Sequence, residues 1–490
     1  MFKIGEIRSF LPEAKLLSGS WEAVVTDLQF DSRLVKEGSL FVCISGAISD
    51  GHLFALEAIK RKARALIVEY PVEAFDEVSI IRVPDSRRAL ALLAAYYFDY
   101  PSQKFNLIGI TGTNGKTSIT NLLEAVFQEW GKKTALTGTI VNRVGQRILP
   151  ATHTTPESLH LQRLFKTMVE DEVDYVMMEV SSHALILNRV EEVEFDIAVF
   201  TNLTRDHLDF HGSFESYKEA KGKLFSQLGI GVKKRFKYAI VNADDAHASY
   251  FKELSPVPVF TYSIHEPSDF QAVDLEVFAE GAGFRLKSMP NFHIKLNLTG
   301  RFSIYNALAA MAVALTEGVP IEIIASALKR LPGVPGRFES IEEGQNFTVI
   351  VDYAHTPDGL ENVLKTAREI CKERIITVFG CGGDRDSSKR PLMGEVSGNL
   401  SHYTILTSDN PRTEDPDLII DEIKVGIEKV GGHFEVQRNR EKAIEKAISL
   451  AEPGDLVMIA GKGHEDYQII GDKKYPFDDR EVVRKFLKRA

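Results

Sequence analysis

The stretch Leu107-Ile108-Gly109-Ile110-Thr111-Gly112-Thr113-Asn114-Gly115-Lys116-Thr117 decides how this 490-residue chain folds. Its first half is a short apolar run of strand type, and a helical pattern follows through Trp130. Between them, Gly112, Thr113, Asn114 and Gly115 make a turn whose backbone N–H groups suit phosphate oxygens. Lys116 adds a point charge there, and Thr117 a hydroxyl suited to Mg²⁺. The spacing departs from the common G-x-x-x-x-G-K-[ST] loop, because position 110 is Ile and the nearby glycine is Gly109. A glycine turn without ligand is the plainer alternative, yet Gly-Lys-Thr between strand and helix argues for phosphate binding. Such a loop serves an ATPase, a switch GTPase or a ligase equally well, so other residues must choose among them.

Outward from the loop, residues 104–333 alternate short apolar strands with helical patterns. Tyr175 to Met178, Ile197 to Phe200 and Tyr238 to Val241 predict a mainly parallel sheet covered on both faces. Phe270 to Leu298 alternates apolar and polar residues around Gly281-Ala282-Gly283 and reads as an antiparallel hairpin. Residues 1–103 read as a small α/β unit, with strands at Leu40 to Ile44 and Ala65 to Val68 and a helix from Arg87 to Phe98. Tyr100-Pro101-Ser102-Gln103 closes it as a linker. A second linker, Leu331 to Gly336, opens residues 334–490. There the α/β rhythm returns, with strands at Val349 to Val351, Ile375 to Phe379, Thr404 to Thr407 and Leu456 to Ile459. The expectation is an α/β protein of three domains, 1–103, 104–333 and 334–490.

A hydrophobic share of 44% with 26% charged residues suits a chain that buries a sizeable core. The net charge of −10, with no Lys/Arg stripe, argues against nucleic acid as a partner. Cys43, Cys371 and Cys381 are isolated, which gives neither a disulfide framework nor a zinc site and fits a reducing cytosol. No stretch approaches the ~18 apolar residues of a membrane span, and the N-terminus lacks the apolar core of a signal peptide. A soluble, cytoplasmic protein without membrane insertion is expected.

Glu179 follows Met178 at the carboxyl end of a buried strand, where a second Mg²⁺ ligand sits beside a phosphate loop. The next strand leads into Thr201-Asn202-Leu203-Thr204-Arg205-Asp206-His207-Leu208-Asp209-Phe210-His211. His207 and His211 have the spacing of a zinc pair, but the Glu of H-E-x-x-H is missing and acids surround them. Carboxylate and imidazole ligation of Mg²⁺ near phosphates suits that setting better. His211 by itself is equally well a structural histidine.

Together these segments resemble the Mur ligases. The phosphate loop, Glu179-Val180-Ser181-Ser182-His183 and Thr201 to Asp209 match the branch that adds the third residue of the peptidoglycan stem peptide. So do Asp31-Ser32-Arg33, Asp352-Tyr353-Ala354-His355-Thr356-Pro357, Gly380 to Asp386 and Gly461-Lys462-Gly463-His464-Glu465-Asp466. The resemblance runs through all three domains in order. It implies a uridine-binding first domain, a central ATPase-like parallel-sheet domain and a Rossmann-like third domain. It also implies ATP and Mg²⁺ as cofactors, and UDP-N-acetylmuramoyl dipeptide and meso-diaminopimelate as substrates.

By the same resemblance, Lys116, Glu179, His207 and Lys221 are catalytic, and Thr117, Glu179, His207 and Lys221 hold metal. Lys221 matches a lysine carried as a carbamate, which turns a cation into an oxygen ligand; read alone, it is one more solvated helix cation. The loop residues 112–117 with Asn306, Arg337, Asp352 and His355 correspond to nucleotide contacts. Thr154, Thr155, Ser182 and Arg189 grip the muramoyl dipeptide, and Ser32 touches uridine. Two departures stand out: His153 where some members have Asn, and Ser303 where Asn is usual.

Asp409-Asn410-Pro411-Arg412 lies at a strand end, where open α/β sheets bind ligands, although Asn-Pro also marks plain surface turns. In the family this string accompanies meso-diaminopimelate, whose distal carboxylate a guanidinium binds bidentately. Arg385, Asn410, Gly461 and Glu465 correspond to the other amino-acid contacts. The implied reaction activates the D-Glu γ-carboxylate as an acyl phosphate, which the incoming amine then attacks. Alternatives are the same ligase adding L-lysine, and a folylpolyglutamate synthetase, whose loop usually continues Gly-Lys-Gly-Ser rather than Gly-Lys-Thr-Ser. No Asn-Lys-x-Asp string supports a guanine-nucleotide switch. A monomer is expected.

Overall fold

A computed structural model describes residues 1–46, 49–73, 77–151 and 153–488. It divides into two compact units, Met1–Thr111 with Lys132–Ala198 and Lys223–Tyr238, and Gly112–Gly131 with Val199–Gly222 and Ala239–Ala490. Both are α/β.

In the first unit, a five-stranded sheet runs in the order Lys15–Ser18, Ser79–Arg82, Ala65–Val68, Ser39–Val42, Asp27–Gln29. All neighbours are parallel except the first pair. Ala65–Val68 and Ser39–Val42 are buried at every position, as a strand covered on both faces requires. The Ser86–Tyr97 helix, capped by Asp85 accepting from Arg88 N at 2.9 Å, packs Leu90 and Leu93 onto Leu40, Ile67 and Ile81. A second group of strands follows the order Arg147–Pro150, Val141–Val144, Thr134–Thr137, Tyr175–Glu179, Asn106–Thr111. The last three are parallel, with Glu179 in register with Ile110, so Glu179 lies at the carboxyl rim.

Gly109 is a packing glycine. A Cβ there would lie 2.7 Å from the Phe195 ring, so it makes room for an aromatic neighbour and takes no part in the phosphate turn. Tyr100 to Gln103 is not a loose linker: Pro101–Lys104 is a short 3₁₀ helix, and Pro101 and Ser102 are buried. The Ser102 hydroxyl accepts from Glu194 N at 3.2 Å, an interaction that pins the segment.

In the second unit, Val259–Ser263 pairs with Tyr238–Asn242 and Phe270–Phe278 in parallel. Gly281–Leu286 and Met289–Leu296 then add antiparallel strands. The expected hairpin is therefore a three-stranded meander, and Gly281 to Gly283 begin its middle strand rather than forming a turn. The Arg301–Thr316 helix is apolar all round and almost wholly buried.

A six-stranded sheet runs Glu339–Ser340, Thr348–Asp352, Leu456–Ala460, Ile375–Phe379, Tyr403–Leu406, Phe434–Val436, parallel after its first strand. Its two faces carry separate cores. Ile350, Met458 and Ile375 face the Pro357–Ile370 and Pro416–Lys429 helices, and Val349, Val378 and Ile459 face Arg440–Leu450. Among the described residues no helix is long and apolar enough to cross a membrane.

Candidate active site

In the second unit, Gly112 (φ 149°) and Gly115 (φ 92°) turn the phosphate loop. A Cβ at Gly112 would lie 1.8 Å from Thr201 Oγ1, and one at Gly115 2.5 Å from Asn306 Oδ1, so the loop closes only with glycine at both places. The segment after the Ile197–Phe200 strand braces it. Thr113 N donates to Asn202 O at 2.8 Å, Asn114 N to Asn202 Oδ1 at 2.9 Å, and Thr201 Oγ1 to Asn114 O at 2.6 Å. Lys116 Nζ folds over the turn, donating to Gly112 O at 2.7 Å and Thr113 O at 2.8 Å.

A cavity of about 530 Å³ opens beside this loop, and Asn114, Gly115, Thr117, Asn306, Arg337, Asp352 and His355 all line it. Seven of the ten expected nucleotide residues thus share one cavity, and Gly112, Thr113 and Lys116 do not line it. Arg337 lies over the Tyr353 ring at 4.6 Å, and its buried Nε has no hydrogen-bond partner among the described residues. A buried guanidinium donor left without an acceptor beside a phosphate loop fits an anionic nucleotide. Asp352 accepts from Phe338 N at 2.6 Å and Ala354 N at 2.7 Å, which sets the strand end rather than reaching outward. His355 donates Nδ1–H to Tyr353 O at 2.8 Å; burial, then Lys389, pushes its pKa down to about 4, so the ring is neutral. Ser303 in the first turn of the Arg301–Thr316 helix donates to Thr299 O, just ahead of that helix, at 2.8 Å, a local bond that gives the serine a role.

Sequence reasoning missed Asp244 and Tyr305. Asp244 accepts from Ile264 N at 2.7 Å, Glu266 N at 2.8 Å and Tyr305 Oη at 2.7 Å, and both line the cavity. The signal was available, since Asp244 follows the buried Tyr238–Asn242 strand much as Glu179 ends its own.

Lys221 is 1% exposed on the Phe214–Ser226 helix, not a solvated cation. Its Nζ donates to Gly112 O at 2.9 Å and sits 4.4 Å from the Tyr217 ring centre, whose hydroxyl meets Thr113 Oγ1 at 3.1 Å. Burial, then the Lys116 charge, holds the Lys221 amine well below its ordinary pKa. His207, at φ 53°, packs its ring 6.2 Å from Tyr217 and places Nε2 3.3 Å from Asp206 Oδ2. His207 caps the short Leu208–His211 helix, and His211 ends it with its ring 5.2 Å from the same Tyr217.

In the first unit, Glu179 is 1% exposed. Its carboxylate accepts from Thr139 N at 2.8 Å and Thr139 Oγ1 at 3.0 Å, and a Cβ at Gly138 would stand 2.3 Å from it. Gly138 and Thr139 were not singled out from sequence. Thr139 Oγ1 is 3.1 Å from Thr154 Oγ1, and Thr155 Oγ1 donates to Glu179 O at 2.8 Å, so the expected dipeptide threonines surround the acid. Arg189 donates to Thr155 O at 3.0 Å and pairs with Glu157 at 2.8 Å, while its buried Nε lacks a partner among the described residues. Ser182 opens the Ser182–Ile186 helix, buried beside them. In the five-stranded part, Ser32 donates to Glu57 at 3.0 Å, and Phe30 packs on His160 with ring centres 5.1 Å apart.

Among the described residues no three His, Cys, Asp or Glu side chains gather as a metal cluster. Of the expected metal ligands, Thr117, His207 and Lys221 belong to the second unit and Glu179 to the first. Within the second unit, Thr117 and a carbamylated Lys221 would offer oxygen donors and His207 a nitrogen, a hard set that would suit Mg²⁺.

At the carboxyl rim of the C-terminal sheet, Arg412 (φ 51°) donates Nη1 to Gly383 O at 2.6 Å. Burial, then the neighbouring Arg385, lowers its pKa, and among the described residues no carboxylate is bonded to either guanidinium. Asn410 and Glu465 are bonded to each other at 2.9 Å. Burial works against the Asp409 carboxylate, but Lys462 and Arg440 outweigh it and hold it below its ordinary pKa. Arg440 is itself fixed by Asp479 at 2.8 and 2.7 Å.

The chain matches the Mur ligase middle domain over residues 110–314, the Mur ligase glutamate ligase domain over 336–463 and the Mur ligase family catalytic domain over 24–98. It is 49% identical over 476 residues to a protein of Syntrophomonas wolfei named UDP-N-acetylmuramoyl-L-alanyl-D-glutamate--2,6-diaminopimelate ligase, covering 97% of both chains. The chain belongs to the Mur ligase family. A protein of the same name from Geobacillus kaustophilus is 49% identical over 467 residues, 95% of each chain. A solved structure of a ligase of that name superimposes with a TM-score of 0.68 at 33% identity, covering 100% of this chain and 99% of the other. This Mur ligase is thus an ATP-dependent enzyme that forms amide bonds, with the α/β fold of its family.

Proposed function

We propose that this Mur ligase adds meso-diaminopimelate to UDP-N-acetylmuramoyl-L-alanyl-D-glutamate, using ATP and passing through an acyl phosphate, in cytoplasmic peptidoglycan precursor synthesis. The observation that carries the reading is the pair Arg412 and Arg385, two guanidinium groups close enough to repel and, among the described residues, each bonded to a backbone carbonyl and to no carboxylate. The distal carboxylate of diaminopimelate supplies that anion, and L-lysine has none. Relatives of 44–49% identity over nearly the whole chain bear the diaminopimelate name, which supports this reading over L-lysine addition or a folylpolyglutamate synthetase.

The residues divide the work by location. Thr154, Thr155, Ser182 and Arg189 hold the muramoyl dipeptide, with Ser32 at the uridine. Gly112 to Thr117 wrap the ATP phosphates, and Asn306, Arg337, Asp352 and His355 form the adenosine side. Lys116 leaves its own loop carbonyls for the phosphates and stabilises charge as the D-Glu γ-carboxylate attacks the γ-phosphorus and ADP departs. Thr117, Glu179, His207 and Lys221 as its carbamate would hold Mg²⁺, which spreads charge on the transferred phosphoryl group when bound. Burial and the Lys116 charge favour the neutral amine at Lys221, the form that reacts with carbon dioxide. Arg385, Arg412, Asn410, Asp409, Gly461 and Glu465 then place the amino acid so that its other amine attacks the acyl carbonyl and phosphate leaves.

Domains of 1–103, 104–333 and 334–490, a monomeric state and a cytoplasmic location complete the reading. Comparing kcat/KM for meso-diaminopimelate and L-lysine tests it, with ADP release required to depend on the dipeptide. Equal values, or a preference for lysine, would sink it.

A further inference from the structure

The motif Gly461-Lys462-Gly463-His464-Glu465-Asp466 supplies Gly461 and Glu465 to the amino-acid site and leaves Lys462 without a role. Lys462 is fully buried, at 0% exposure. An ammonium tolerates that only when paired and hydrogen-bonded. Its Nζ donates to Glu465 Oε2 at 3.0 Å and to Asn410 Oδ1 at 3.1 Å, and lies 3.7 Å from Asp409 Oδ1. Asn410 closes the ring: its Nδ2 donates to the same Glu465 Oε2 at 2.9 Å, and its Oδ1 also accepts from Ile469 N at 2.9 Å.

Two consequences follow from the donor inventory. Both internal bonds fall on one Glu465 oxygen, and Oε1 carries none of them. The Asn410 amide is also oriented, because two donors at Oδ1 forbid the flipped arrangement, so what it still offers is an Nδ2 hydrogen.

We propose that Lys462 is a positioning residue of the amino-acid site. By anchoring Glu465 Oε2 and Asn410 Oδ1, it presents Glu465 Oε1 to the distal ammonium and an Asn410 Nδ2 hydrogen to the distal carboxylate of diaminopimelate. This rests on the assignment of Asn410 and Glu465 to that site. Burial already raises the Glu465 pKa, with Lys462 the largest influence against it. Removing the lysine therefore frees the carboxylate to rotate and to take up a proton, and either change loses the ammonium.

The test uses the full-length enzyme with Lys462→Met, Glu465→Gln and the double substitution, reading KM for diaminopimelate, kcat and the dissociation constant of ADP. Each single substitution raises KM for diaminopimelate by about tenfold or more, with kcat within about threefold and ADP binding within about twofold. In the Glu465→Gln background, Lys462→Met raises KM by a smaller factor than in wild type, because the Glu465 part of the anchor is already lost and only the Asn410 part remains. Lys462→Gln, which keeps a donor near Glu465, falls between wild type and Lys462→Met, and it serves if the methionine variant does not fold. If Glu465→Gln raises KM while neither Lys462 variant does, the anchor is overturned and the site assignment stands. If Glu465→Gln leaves KM unchanged, the assignment falls and the anchor with it. Full additivity, or loss of ADP binding in both Lys462 variants, shows a general structural role and also overturns it.

Discussion

Arg337 Nη2 donates to Thr117 Oγ1 at 3.2 Å, so the hydroxyl expected to ligate metal is held by an arginine far along the chain. The same guanidinium keeps a buried Nε without partner among the described residues. An acceptor on the adenosine side of a bound nucleotide would satisfy that donor and draw the arginine away from the threonine. Arg337→Ala is expected to raise KM for ATP by about ten- to hundredfold, the loss of one charge-assisted hydrogen bond of ~1.5–3 kcal/mol. KM for diaminopimelate should move by less than about threefold. Initial rates with each substrate varied in turn check both.

Lys221 gives a chemical prediction. Protein equilibrated with ¹³C-bicarbonate should show a carbamate carbon resonance that is absent in Lys221→Met. That substitution keeps the side-chain length but removes the nucleophilic amine, and kcat should fall by about a thousandfold, as for loss of several kcal/mol of metal-dependent stabilisation. An unchanged spectrum would leave Lys221 as a buried amine and remove it from the metal set.

Arg412→Ala should lower kcat/KM for diaminopimelate by about a hundredfold, roughly the worth of a bidentate pair with a carboxylate. The value for L-lysine should change by less than about fivefold, because lysine never had that partner. Discrimination thus erodes from one side, and the nucleotide KM stays where it was.

His355 and His464 make stability depend on acid. Burial, reinforced by Lys389 for the first and Arg337 for the second, pushes their pKa values down to about 4 and about 3. An unfolded histidine titrates near ~6.5. Between that value and the folded pKa values, the unfolded chain binds protons that the folded protein refuses. Their contribution is therefore complete above pH ~6.5 and is lost as pH falls towards 4 and 3, by at most about 1.4 kcal/mol per pH unit for each ring. Urea midpoints at pH 7.5 and 5 measure the slope, and His464→Gln should make it shallower.

Much of the fold was legible because buried parallel strands are short, wholly apolar and separated by helical patterns, as at Ile375–Phe379 and Leu456–Ala460. The misreadings have physical causes. Gly281 to Gly283 looked like a turn, but a strand accepts glycines where neighbours crowd: a Cβ at Gly281 would stand 2.1 Å from Leu296 O. Pro101 looked like a break, yet at the start of a 3₁₀ helix its fixed φ helps. The phosphate loop was visible in spite of its spacing, because Gly109 answers to Phe195 and not to phosphate.

The site was legible only in part. Strand-end acids such as Glu179 follow a positional rule, and Asp244 obeys the same rule unnoticed. Lys221 could not be found from its neighbours, because nothing in Tyr217-Lys218-Glu219-Ala220-Lys221 distinguishes the buried lysine from the half-buried one. Thr139 was hidden too: its bond to Glu179 joins residues 40 apart, and only the parallel pairing of their strands brings them together.

The buried charges at the rim of the C-terminal sheet also set a timescale. Asp409, Arg440, Lys462 and Asp479 come from four separate segments, and Arg440 and Asp479 are fully enclosed. These groups give up water profitably only as their segments dock, so the cluster is expected to be completed after the folding barrier has been crossed. Substitutions there should steepen the escape from the native state and barely slow its formation, visible as a raised unfolding arm beside an unmoved refolding arm. How long this region stays closed in a cell is thus governed by a few enclosed charges rather than by the apolar strands that assembled it.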